Sequence, residues 1–295
     1  MLAATLPTVA AGCDVLLGPY STGLMRVAGR LAAQHGWLLW NHGGSGDDVA
    51  AAHPGHIVSI LAPASSYADP FIQHLVTGHE RAPLWIAHGA GGFARQVVDG
   101  AEASARRLGI GTARLRHEAT RPPGGRAWDL FCAGSFEEDV DLVRRARGAR
   151  PQPRMVCAVA AGVRGFGASG VDPAGVYGVA QWFPGLPSAQ SPEVGPSEHD
   201  FLAAYMARYG TVPDYPAVQA VAAAALAVHC LRYSGGRDAW TAALALDTST
   251  LFGAFRVRPR DGVQVKHRTV LVRWTADEPA LVPSAARRNP ERPTG

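Results

Sequence analysis

The sequence predicts an α/β protein made of two Rossmann-like lobes, each with a parallel sheet, and three observations carry that prediction. From Cys13 onward, short apolar runs alternate with amphipathic stretches of helical period, the rhythm of βαβ units. The rhythm restarts after Pro83, which implies a second parallel sheet. The chain's 295 residues exceed the size at which a single core keeps growing, so two lobes are expected.

The elements follow in order. CDVLLG is read as a strand, LMRVAGRLAAQHG as a helix, WLLW as a strand, then a Gly-rich turn, the strand HIVSIL and a helix through Phe71. After Pro83 come strand PLWIAH, helix FARQVVDGAEASARRLG, strands ARLRHE and WDLFCAG, helix EEDVDLVRRARG, and strands RMVCAVAAG and GVYGVAQW. A Pro-rich stretch from Phe183 to Pro196 lacks periodicity and reads as the connector at which the chain changes lobe. Two helices follow, SEHDFLAAYMARYG and VQAVAAAALAVHCLRYSG, then a short helix around Trp240. GAFRVRP and HRTVLVRW are expected to pair as a hairpin, with Asp261-Gly262 at the turn.

Composition narrows the classes. With 47% hydrophobic and 18% charged residues in short punctuated runs, the chain is neither disordered nor membrane-spanning. No stretch approaches the roughly 20 apolar residues needed to cross a bilayer, and the N-terminus lacks the basic region of a signal peptide. As written, the chain is expected to stay in the cytoplasm. The net charge of +4 is modest and its Arg pairs are scattered, which argues against nucleic-acid binding; the pairs near 106 and 144 suit helix C-termini instead. The four cysteines contain no CxxC and read as buried, reduced thiols, although Cys132 and Cys157 fall in adjacent predicted strands where a disulfide is conceivable.

LLGPYSTG followed by a helix and WNHGGSGDD resembles the type I periplasmic-binding-protein fold, specifically the branched-chain amino-acid (Leu/Ile/Val)-binding family of ABC transporters. GGFARQVVDGAEASARRLG, FCAGSFEEDVDLVRRAR, GVYGVAQWFPG, FLAAYMARYG and the stretch from Thr248 to Trp274 match in order. Family members begin with a further strand, helix and strand before the point matching Leu2, so the resemblance implies an N-terminally truncated version whose first lobe is incomplete. It also implies a periplasmic or cell-surface location, a small-molecule ligand and a membrane permease as partner, with no cofactor. The expected lobes are residues 1–80 plus 187–267, and 81–186 plus 268–280, with a disordered tail over 281–295.

Ligands of open α/β sheets bind beyond the carboxyl ends of the strands, where helix N-termini offer N–H groups. Tyr20, Ser21 and Thr22 fall there after CDVLLG; by resemblance Thr22 is the carboxylate-binding hydroxyl. The next strand ends at Gly43 and Gly44, which admit close approach of a ligand, and Ser45 matches a second family hydroxyl. Ser21, Thr22 and Ser45 are equally good helix caps. From the second lobe, His88, Phe136, Gln181 and Trp182 are candidates, Trp182 also suiting hinge packing. The family's ammonium-binding acid has no counterpart at Ala160, Ala161 and Gly162, which favours a neutral amide, a carboxylic acid or another apolar solute over an α-amino acid. Glu137 and Glu138 open a helix and suit its dipole.

Two rivals stand beside this reading. One is a ligand sensor of the same fold, in which closure drives a partner protein. The other is an NAD(P)-binding oxidoreductase, because Gly89-Ala90-Gly91-Gly92-Phe93-Ala94 fits G-x-G-x-x-A between a strand and a helix; Glu118 follows, beyond the usual spacing. A hydrolase lacks its G-x-S-x-G elbow, and His53 and His56 lack the spacing of a metal site.

Overall fold

In a computed structural model, the structure describes residues 2–77, 81–115, 127–186, 191–233, 235 and 238–283. Glu118 and the expected tail beyond residue 283 lie outside them.

The chain opens with helix α1 (Leu2–Ala10), strand β1 (Leu16–Leu17), helix α2 (Thr22–His35), strand β2 (Leu39–Asn41), the short helix α3 (Asp47–Ala51) and strand β3 (Ile57–Ser59). The three strands form a parallel sheet in the order β1-β2-β3. Met25, Ala28 and Ala32 recur at helical spacing and turn one face of α2 onto Leu39 and Ile57. Gly36 ends α2 in the left-handed conformation at φ 72°, its N–H returning to Ala32 O.

Next come helix α4 (Asp69–Leu75), strand β4 (Leu84–His88), helix α5 (Gly92–Arg107), strands β5 (Thr112–Leu115) and β6 (Asp129–Ala133), helix α6 (Phe136–Gly148), and strands β7 (Val156–Ala158) and β8 (Tyr177–Ala180). Helices α7 (Glu198–Tyr209), α8 (Tyr215–Tyr233) and α9 (Ala239–Ala245) precede strands β9 (Thr248–Thr250), β10 (Gly253–Phe255), β11 (Val270–Trp274) and β12 (Pro279–Leu281). Seven of these strands form the second sheet, ordered β12-β11-β8-β7-β6-β4-β5. Strands β4 to β8 run parallel, and β11 and β12 join antiparallel at one edge. Arg106 and Arg107 close α5 and Arg145 and Arg147 close α6, where cations meet the helix dipole.

Packing assigns the elements to the sheets. Helices α8 and α9 cover the second face of the small sheet, with Val218, Ala222 and Leu226 against Trp40 and Val58. Phe71, Ile72 and Leu75 of α4 instead share a core with Leu84, Ile86 and Phe131, so the first changeover between sheets precedes α4 and does not wait until residue 80. The expected hairpin is divided. Its turn exists, with Arg258 N donating to Val263 O and Val265 N to Arg256 O, but its first arm pairs with β9 and its second enters the large sheet. Both arms alternate apolar residues, and that pattern does not reveal which sheet a strand joins.

The cysteines also separate by position. Cys157 lies opposite Phe131 and Cys132 opposite Ala158, so the two thiols project from opposite faces of the large sheet and cannot bridge. Burial pushes both thiols well above their usual range. Cys230 is buried as expected, whereas Cys13, between α1 and β1, is exposed. No helix among the described residues is long and apolar enough to cross a membrane.

Candidate functional site

The chain passes between the two sheets at Ala62, Gln181 and His267, and one side chain joins these passages. Gln181 is fully buried; its Oε1 accepts from Ala62 N at 3.1 Å, and its Nε2 donates to Ala62 O at 3.1 Å and to the Tyr67 hydroxyl at 2.8 Å. His267 Nε2 lies 2.8 Å from Gln181 O, which can only accept, so Nε2 carries a proton and donates. Burial lowers the His267 pKa to about 4, and its ring stacks on Phe252 with centroids 4.2 Å apart.

Two loops of the small sheet meet above this junction. Ser21 caps α2, its Oγ accepting from Leu24 N at 3.1 Å, and holds a φ of 143° that non-glycine residues rarely adopt. Thr22 is buried, and its hydroxyl accepts from Gly46 N at 3.2 Å, which ties the β1–α2 loop to the β2–α3 loop. Asn41 builds the second loop from within: its Oδ1 accepts from Gly43 and Gly44 N at 3.2 and 2.8 Å, and its Nδ2 donates to Gly44 O and Ser59 Oγ. The two glycines are dictated by close approach. A Cβ at Gly43 would lie 2.5 Å from Tyr20 Cα, and one at Gly44 2.6 Å from Met25 Cγ.

Ser45, at the tip of that loop, faces the junction. Its Oγ lies 2.9 Å from the Tyr67 hydroxyl and 3.4 Å from Gln181 Nε2. Burial pushes Tyr67 up to about 12, so it stays protonated, and the edge of Phe93 meets its ring at 5.3 Å. Tyr20 is half exposed, and burial raises the pKa of both Tyr20 and its neighbour Tyr215, the latter well above the usual tyrosine range.

Polar bridges span the gap at its two sides. On one, Gln96 of α5 accepts from Asp47 N at 2.9 Å and donates to Asp48 Oδ1 at 2.7 Å, while Arg26 grips Asp48 at 2.7 and 2.9 Å and holds its carboxyl down at about 2. On the other, Arg164 N donates to Asp214 Oδ1 at 2.9 Å.

Of the residues expected at the site, the structure gathers Ser45 and Gln181 directly. Tyr20, Ser21, Thr22, Gly43 and Gly44 lie in the two loops that meet there. Trp182 is buried against the α8 face and lines a small cavity beside Tyr215. His88 and Phe136 are not gathered. His88 turns onto its own loop, with Nδ1 2.8 Å from Gly89 O, and Phe136 packs edge-on to Phe166 in the core of the large sheet. Glu138 completes a capping box with Ser135 and also accepts from Ala90 N at 3.2 Å, so its helix-opening role extends to the neighbouring loop. This carboxylate sits where a Cβ on Gly89 would be 1.8 Å away. The Glu138 carboxyl therefore fills the space against Gly89 that a pyrophosphate would need for close approach to the Gly-rich loop. Among the described residues, no group of three His, Cys, Asp or Glu can hold a metal ion. Tyr67, Phe93, Gln96, Asn41 and Asp214 went unmarked in the sequence; Asn41 alone carried a local signal, an Asx turn leading into Gly-Gly.

No family model and no curated protein matches the chain. Solved structures do. An ABC transporter substrate-binding protein from Desulfitobacterium hafniense in complex with Leu superposes with a TM-score of 0.76 at 16% identity, covering 95% of this chain and 84% of that one. The branched-chain amino acid substrate-binding protein LivJ of Streptococcus pneumoniae, in complex with isoleucine, gives 0.74 at 14% identity over 95% and 82%. A solute-binding protein of an ABC transporter from R. palustris, in complex with benzoate, gives 0.69 at 15% identity over 95% and 81%. At these identities the likeness establishes the fold: the chain has the two-lobed periplasmic-binding-protein fold, with parallel sheets.

Proposed function

We propose that the chain is a solute-binding protein that closes its two lobes on a small amino-acid-like, amide or carboxylate ligand for an ABC transporter permease. The lobes change over at Ala62, Gln181 and His267, and the ligand enters between the strand-end loops that carry Ser45 and Tyr67. The observation that carries this reading is the arrangement of the seam, in which a buried junction joins three crossovers at one end and part-buried polar bridges cross the gap beyond it. A hinge of this kind lets lobes rotate apart while the crossovers stay fixed. The solved structures of the same fold hold Leu, isoleucine and benzoate, ligands of the size this reading requires. Binding and closure complete the activity, with no covalent step.

A thermal-shift screen of the purified chain against branched-chain and aromatic amino acids, short amides, small carboxylates and NAD(H) tests it. A native-state ligand at about 100 times its Kd adds about 2.7 kcal/mol and raises the melting temperature by several degrees. A rise with an amino acid, amide or carboxylate is expected. A rise with NAD(H) alone would overturn the reading in favour of the loop at Gly89.

A further inference from the structure

Beneath the turn that follows β7 lies a carboxyl that the solute-binding reading does not use. Asp139, in the first turn of α6, is fully buried. Its Oδ2 accepts from Ala160 N at 2.8 Å, while Oδ1 has no hydrogen-bond partner among the described residues. In the ionised carboxylate that oxygen is a desolvated charge with nothing to answer it, which costs far more than the same oxygen in a neutral carboxyl.

The turn above it, Val159–Gly162, is wedged between this carboxyl and β8. Trp274 Nε1 donates to Ala161 O at 2.8 Å, and a Cβ on Gly162 would lie 1.9 Å from Val179 O. Just beyond the turn, Arg164 N makes the bridge to Asp214 Oδ1 across the seam. A turn packed this closely has no slack, so a displacement at Ala160 is passed on to Arg164.

We propose that Asp139 is a proton-operated release for that bridge: neutral, it seats the turn with Arg164 N on Asp214, and ionised, it draws the turn out of place and lets the lobes part. The inference rests on reading the seam as a hinge and on no particular solute. Burial raises the Asp139 carboxyl to about 7, and the neighbouring charge of Glu138 adds to the rise. The anion is therefore the state that the fold disfavours, and the bridge loosens as pH rises through 7. The groups around Asp139 do not titrate in its place. Cys132 of β6 and Cys157 of β7 are thiols that burial keeps neutral, and Arg145 of α6 keeps its charge. Glu138 is held by Ser135 N and Ala90 N, His88 at the end of β4 has Nδ1 2.8 Å from Gly89 O, and the turn itself has no titratable side chain. Asp214, at the far end of the bridge, is a competitor, since burial raises its carboxyl as well.

Two measurements on the unliganded full chain test the assignment: small-angle scattering at about pH 6 and about pH 8.5, and the backbone amide shifts of Ala160 and Arg164 across that range. In the wild type the radius of gyration should be larger at the higher pH, and both amides should follow one titration curve with its midpoint near 7. Asp139→Asn keeps an oxygen for Ala160 N and is neutral at every pH, so it should flatten both curves and stay compact throughout. Asp214→Asn keeps an oxygen for Arg164 N and should leave the Ala160 curve in place. A wild-type radius that does not change with pH, or an Ala160 curve that Arg164 does not share, would overturn the proposal. If Asp214→Asn abolishes the expansion and Asp139→Asn does not, the release belongs to Asp214 and the proposal also falls. No ligand enters these measurements, so their failure leaves the solute-binding reading to its own screen.

Discussion

At the junction of the lobes, Gln181 and His267 are buried, and Gln181 donates and accepts through every polar atom of its amide. At the rim, Arg26 and Asp48 remain 33% and 44% exposed although their geometry is as good. The contrast matters because water competes for exposed pairs and not for buried ones: a solvent-accessible ion pair contributes about 0–1 kcal/mol, whereas orphaning a buried donor or acceptor costs about 1–3 kcal/mol per group. On the proposed function, the buried end of the seam is the joint on which the lobes turn and the part-exposed end is the clasp that releases them.

The largest effect should come from the joint. Gln181→Ala strands Ala62 N and Ala62 O in a dry interior, leaves the Tyr67 hydroxyl with Ser45 Oγ as its remaining partner, and opens a cavity, so a loss of about 3–4 kcal/mol is expected by urea denaturation. A loss under about 1 kcal/mol would mean that water reaches the junction, and the contrast with the rim would collapse.

The pH dependence of the interior is the next largest effect, and it has two opposing parts. The His267 pKa is lowered to about 4 in the fold, below its unfolded value near 6.5, so its contribution is present above pH 6.5 and is lost as pH falls toward 4. Asp139, fully buried beneath the turn after β7 and accepting from Ala160 N at 2.8 Å, is raised to about 7, so its contribution is present below pH 4 and is lost as pH rises through 7. Each is worth about 3–4 kcal/mol across its window, because every tenfold change in proton concentration between the folded and unfolded pKa values contributes about 1.4 kcal/mol. Between pH 4 and 7 they nearly cancel in the wild type. Asp139→Asn should therefore unmask a loss of stability on acidification, and His267→Gln a gain. Parallel pH profiles for the wild type and both variants would show that neither group titrates as its burial demands.

What the sequence revealed, and what it hid, follows the same division between local and distant interactions. Helices α2, α5 and α6 were legible because their signals are local: period, a Ser cap, a left-handed Gly, terminal arginines. Helices α1 and α3 and strands β9 and β12 were not, being too short or, with Pro7 inside α1, too irregular to show a period. In the site, the loops that carry Tyr20 to Thr22 and Gly43 to Ser45 could be placed because a strand-to-helix turn announces itself. Gln181 was marked as a ligand contact, but the partners that fill its amide lie 114 to 136 residues away. Tyr67, Gln96 and Asp214 have no distinguishing neighbours in sequence; their importance arises where the lobes face each other. His88 and Phe136 turn away from the junction for the converse reason, since a strand-end position fixes where a residue starts and not which way its side chain turns.

The smallest effect on stability, and the most informative about motion, belongs to the rim. Gln96 is the cross-lobe member of the clasp, joining α5 to Asp47 N and Asp48 in the other lobe, while the Arg26–Asp48 pair lies within one lobe. Removing Gln96 therefore separates the lobes' contact from the ion pair itself. Gln96→Ala should change the unfolding free energy by no more than about 1 kcal/mol, because at this part-buried position water reaches the groups that both hydrogen bonds leave free. That same amount acts in full on the balance between closed and open forms, a shift of up to about fivefold in their ratio. Small-angle scattering of the unliganded protein should then show a larger radius of gyration for Gln96→Ala than for the wild type, with saturating ligand restoring the compact value to both. If Gln96→Ala instead lost several kilocalories of stability while the radius stayed fixed, the rim would be a second joint, and the molecule would have no clasp to release.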